Sequence, residues 1–169
     1  TEADMNYIDL HCDTLMAFAQ EGGSLLRNKR SIDIKRLRNG GCLAQFFAVW
    51  LPDKETREAM ERMGTGEERP GDREESGFEP ERGGLAPELR GRLSQEEWDD
   101  AYIKLLLSGF YNVMEQAADE IAPAFCLEDL EQNEREGKMS AFLTLEDGRA
   151  VRGSMERLEA LYKKGIRLI

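Results

Sequence analysis

Histidine is the residue this 169-residue chain most lacks; there is one, His11. A site built from several imidazoles cannot come from these residues alone. Cysteine is sparse too, and Cys12, Cys42 and Cys126 are widely spaced and odd in number. They give neither a C-x-x-C knuckle nor a full disulfide set, which fits a reducing compartment and makes the cytoplasm the expected location. No apolar run approaches the ~20 residues that cross a bilayer, so no membrane partner is expected. Positive charge is short, with 23 Lys and Arg against 34 Asp and Glu and a net charge of -11. That balance argues against nucleic acid, whose phosphates call for Lys and Arg. A basic-then-apolar secretion signal is absent, and the opening at Thr1, with Met5 inside the chain, reads as a trimmed start.

What is present begins with Tyr7-Ile8-Asp9-Leu10-His11-Cys12-Asp13-Thr14. The run reads as a short strand, and side chains alternate across a strand. Asp9, His11 and Asp13 are therefore expected on one face, with Ile8, Leu10 and Cys12 on the other. An imidazole beside a carboxylate at a strand end suits a divalent metal. It equally suits a buried histidine satisfied by a hydrogen bond, and H-x-D alone does not separate the two.

Thr14 to Gln20 favours a helix that Glu21-Gly22-Gly23 stops. The basic stretch from Arg27 to Leu37 reads as a solvated surface segment. Asn39-Gly40-Gly41 turns into a strand, Leu43 to Leu51, apolar on both faces as in a parallel sheet covered on both sides, and Pro52 ends it. Residues 64–92 hold seven glycines and three prolines among alternating charges. Such material buries too little to offset its ordering entropy. The expectation is one domain with a flexible charged insertion at about 52–93.

Ser94-Gln95-Glu96-Glu97 is a capping box. Behind it Trp98, Tyr102, Leu105, Leu106, Phe110, Val113, Met114, Ala117 and Ile121 recur at helical spacing, and Pro123 closes the helix. A short helix follows over Leu127 to Glu136, ended by Gly137. The next strand, Ser140 to Glu146, sets Ala141, Leu143 and Leu145 on one face and Phe142, Thr144 and Glu146 on the other. A helix from Ser154 to Lys164 is capped by Gly165 and leads into the strand-like Ile166-Arg167-Leu168-Ile169.

Alternating strands and helices favour a parallel α/β architecture, either an open sheet or a (β/α)8 barrel. The polar faces bearing Asp9, His11, Asp13 and Glu146 suit a barrel mouth better than a helix layer. His11, Asp13 and Glu146 fall at C-terminal strand ends, where barrel enzymes place their chemistry. No Gly-rich phosphate loop follows the first strand, which counts against a dinucleotide-binding fold.

Asp9-Leu10-His11-Cys12-Asp13-Thr14 resembles the first metal motif of the membrane (renal) dipeptidase family of zinc peptidases. The likeness extends over Ile34 to Phe47, Ala141 to Gly148 and Leu158 to Arg167. In the family the motif after the ligand glutamate reads Glu-Gly-Gly; here Asp147 replaces the first glycine. The resemblance implies a TIM-like (β/α)8 barrel of the metal-dependent hydrolase type, of which this chain covers roughly the first three to four strands. It also implies two zinc ions, with His11 and Asp13 on one, Glu146 bridging both, and Asp9 behind His11 or satisfied within the strand. The reaction implied is attack of a metal-activated hydroxide on the carbonyl of a dipeptide, often one with a D-residue on the C-terminal side. Two more histidines, a substrate-binding arginine and the acid/base residue come from later strands in that family. The 169 residues are therefore expected to be the front part of a longer protein, inactive alone, needing a missing C-terminal half or another copy to cover bare strand edges. The rival readings are a non-catalytic barrel fragment or assembly subunit, and an amidohydrolase acting on another amide.

Overall fold

The computed structural model describes residues 6–21, 25–63 and 92–169. The elements run β1 (Tyr7–Cys12), α1 (Thr14–Glu21), α2 (Ile34–Asn39), β2 (Cys42–Trp50), α3 (Lys54–Met63), α4 (Gln95–Gln116), β3 (Ile121–Pro123), α5 (Leu127–Arg135), β4 (Met139–Glu146), α6 (Met155–Lys163) and β5 (Ile166–Leu168). All five strands join one sheet in parallel pairings. β2 lies between β1 and β4, while β3 and β5 both pair with β4. β3 meets Met139 to Ala141 and β5 meets Leu143 and Thr144.

The alternation expected for β4 holds. Ala141, Leu143 and Leu145 enter the main core with Phe47 and Val49 of β2, under Trp98, Tyr102, Leu106 and Phe110 of α4. On the other face Phe142 stacks on Phe46, ring centroids 4.6 Å apart, beside Ala44, Ala124 and Leu130. β2 is thus covered on both sides, which is why its sequence carries apolar residues at both parities. The capping box is present: the Glu97 N–H donates to Ser94 Oγ at 3.3 Å, and Glu97 Oε2 accepts from the Ser94 N–H at 2.9 Å.

Two local expectations are corrected. Ile121 does not continue α4, which ends at Gln116; it opens β3, and its N–H donates to Ala117 O. Pro123 sits in this three-residue edge strand, where the missing N–H costs no ladder bond. The stretch read as solvated surface contains α2, because Asp33, 1 % exposed, caps it by accepting the Arg36 N–H at 2.7 Å, and Ile34 and Leu37 are buried. Within the stretch read as an insertion, 54–63 forms α3; the reading of 64–91 lies outside the described residues.

Candidate metal centre

His11 lies in β1, Asp13 immediately beyond it, and Glu146 ends β4. The backbone of Asp13 starts α1, its carbonyl accepting from the Met16 N–H at 3.1 Å. That role leaves the carboxylate free to turn back toward the histidine. Glu146 is the register partner of Trp50 on β2, so one strand separates it from β1. The side chains nevertheless converge. His11 Nε2 lies 3.3 Å from Asp13 Oδ1 and 3.6 Å from Glu146 Oε2. One ligand atom from each of the three lies within 4.8 Å of the others. All three side chains are about half exposed.

The simple alternation expected along β1 is broken. Asp9 pairs with Gln45 and Cys12 with Phe47, so three steps on β1 answer two on β2. Such a bulge re-aims side chains at a strand end. Cys12 goes into the core with Phe47. Asp9 does not line up beside the imidazole; its Oδ1 accepts the His11 backbone N–H at 3.2 Å. Burial pushes the Cys12 thiol up to about 11, and the nearby Asp9 charge adds to this. Cys42 is raised by burial and by Asp9 in the same way. Asp9 therefore touches His11 through the main chain.

Beyond Glu146 the chain reverses sharply. Asp147 has φ 80° and ψ 116°, a conformation that favours glycine. Its Oδ1 accepts the Arg149 N–H at 2.8 Å and caps the short 3-10 turn Gly148–Val151. The Arg149 guanidinium donates to Leu51 O at 3.0 Å and Pro52 O at 2.9 Å, and its Nε lies 3.5 Å from Asp99 Oδ2. Gln95 Nε2 closes the ring by donating to Pro52 O at 3.3 Å and Asp99 Oδ1 at 2.8 Å. Burial raises the Asp99 carboxyl, while Gln95 and Arg149 pull against it. Sequence reasoning missed this ring; the only available signal is a carboxylate, Asp99, lodged between Trp98 and Tyr102 on the buried side of α4.

No curated protein matches the chain in sequence. Several solved structures share its fold, among them two metallopeptidases. One is described as the dipeptidase AC, a metallopeptidase, at TM-score 0.66 and 14% identity, with 98% of this chain on 42% of that one. The other is a metallopeptidase from Rhodobacter sphaeroides liganded with a phosphinate mimic of the dipeptide L-Ala-D-Ala, at TM-score 0.64 and 18% identity, with 97% of this chain on 44% of that one. This chain spans less than half the length of either structure. Its parallel α/β sheet is part of the TIM-like barrel expected from the sequence. The family model described as membrane dipeptidase (peptidase family M19) matches residues 2–169, and the chain belongs to that family.

Proposed function

We propose that this chain supplies part of the active site of a zinc-dependent dipeptidase, with His11, Asp13 and Glu146 as metal ligands. The observation that carries this reading is the meeting of one imidazole and two carboxylates, from the ends of two strands that do not pair, at the C-terminal ends of the sheet. The donor set fits the group. Zinc takes imidazole nitrogen and carboxylate oxygen together, and catalytic sites leave a position open. The exposure of all three side chains leaves the centre reachable by a substrate.

In this reading His11 and Asp13 would hold one ion, and Glu146 would help to hold that ion and a second. Bound there, such ions would supply Lewis acidity toward a scissile carbonyl and would bring the pKa of a water toward ~7. The protein's own part is orientation. Asp9 fixes the β1 backbone at the imidazole through the His11 N–H, and the α1 turn holds Asp13 beside Nε2. The ligand of the Rhodobacter sphaeroides structure suggests a dipeptide with a D-residue on the C-terminal side as substrate. The remaining ligands of the second ion, the substrate-binding arginine and the acid/base group belong to the rest of the barrel. On that barrel the stretch at about 52–93 is an insertion. Three free thiols suit a reducing cytoplasm.

Calorimetric zinc titration of the 169-residue chain, beside a dipeptide panel, tests the proposal. One weak zinc site lost in His11→Ala, and little or no hydrolysis, are expected. Zinc binding that survives both His11→Ala and Glu146→Gln would remove the centre, and rapid dipeptide turnover by the chain alone would refute the shared site.

A further inference from the structure

We infer that Arg149 is a positioning residue for Glu146, acting by tying the C-terminal ends of β2 and β4 to each other. The inference rests on the reading of Glu146 as a ligand, but one of its tests needs no metal. The Glu146 side chain is about half exposed and has His11 as its ion-pair partner. Packing therefore does little to place its carboxylate, and the backbone must do so. Trp50 and Glu146 are the last register partners of β2 and β4. The next link between the two chain segments, among the described residues, is the guanidinium of Arg149 on Leu51 O and Pro52 O.

The link is stiff at both ends. On the β4 side Asp147 is held at positive φ, with its carboxylate on the Arg149 N–H. On the β2 side Leu51 O and Pro52 O both accept from the same guanidinium nitrogen, Nη2, so one group holds two successive carbonyls. Behind them Asp99, 2 % exposed, faces the guanidinium and is itself held by Gln95. With Nη2 on two protein carbonyls and Nε buried facing Asp99, the guanidinium acts as a brace and not as a ligand for a substrate carboxylate.

Arg152 supplies the contrast. It binds Asp100 and Glu96 O, pinning the same connection to α4 without touching β2. Loss of Arg152 loosens the segment; loss of Arg149 also frees the strand end that carries Glu146.

The test uses the full 169-residue chain and its single histidine, whose ring gives one assignable set of nitrogen–proton correlations. At one fixed pH, Arg149→Ala is expected to move the His11 ring peaks toward their positions in Glu146→Ala, whereas Arg152→Ala leaves them in place. In cobalt(II) titrations Arg149→Ala is expected to weaken binding by about 10-fold or more, the scale seen when a ligand loses its supporting contact. Arg152→Ala should change it less than about twofold on the same scale. Arg149→Lys keeps the charge beside Asp99 but lacks the planar guanidinium, so it should fall between; it also secures the test if Arg149→Ala does not fold. Wild-type ring peaks in both Arg149 variants, or equal displacement by Arg152→Ala, would overturn the inference. A wild-type chain that binds no cobalt would instead remove the metal centre and leave the ring peaks to decide the role of Arg149.

Discussion

At the residue scale, Asp147 carries two opposed effects. Its positive φ costs an L-residue on the order of 1–3 kcal/mol, while its side chain caps the following turn. Asp147→Gly removes the strain and the cap together, so the two changes largely offset. Asp147→Ala keeps the strain and loses the cap. The alanine variant should therefore be less stable than the glycine variant by roughly 1–2 kcal/mol, read from urea midpoints at constant slope. Positive φ at this position also accounts for the glycine that the family motif carries there.

Two neighbouring carboxylates in α4 titrate in opposite senses. Burial alone would raise Asp100, but hydrogen bonds and charge from Arg157 and Arg152 outweigh it and hold the carboxyl below its ordinary 3.8. A depressed carboxyl contributes stability above its unfolded value that disappears as pH falls through the folded value. Asp99 is raised, mainly by burial, so its contribution is present at low pH and disappears as pH rises through its folded value. Asp100→Asn should flatten the acid-side loss of stability below about pH 5, and Asp99→Asn should steepen it. Urea midpoints followed from neutral pH down to pH ~3 check both signs.

At the scale of elements, much of the fold is legible because local chemistry and burial agree. The Ser94 box starts α4 where expected, and Ser94→Ala should cost about 1 kcal/mol, measured as a shift of the denaturant midpoint. β4 shows its faces in its alternation, and Gly165, at φ 104°, closes α6 as expected. The misses have physical causes. β3 is three residues with a proline, too short to carry a period. α2 hides in a basic stretch because its two buried residues, Ile34 and Leu37, rely on the Asp33 cap. The bulge that redirects Asp9 has no signature in the residues themselves, since it arises from β1 pairing with a strand more than thirty positions away. His11 and Asp13 could be nominated from H-x-D alone. Glu146 could be joined to them only through strand order or family likeness.

At the scale of the molecule, the sheet carries apolar surface at its margins. Ile8 and Leu10 on β1 are 48% and 61% exposed, and Leu168 and Ile169 are 48% and 55% exposed. Beside β5, a groove of about 320 Å³ is lined mainly by apolar side chains, Leu158, Leu161, Ile166 and Leu168 among them, with Glu159 and Arg167 as its charged members. Among the described residues β1 pairs with β2 alone and β5 with β4 alone, leaving an open edge on each. Exposed edges of this kind pair with other chains. The 169-residue chain should therefore self-associate at micromolar concentration, and Leu10→Lys should shift it toward monomer, as read by sedimentation velocity. No helix among the described residues is long and apolar enough to cross a membrane.

β4 occupies a slot between β2 and β3, both of which precede it in the chain. Until that late strand slides home, the imidazole near one end of the polypeptide and the acid near the other have no reason to meet. Capture of an ion by these groups would then act as a stopwatch, striking only when β4 has locked between its neighbours.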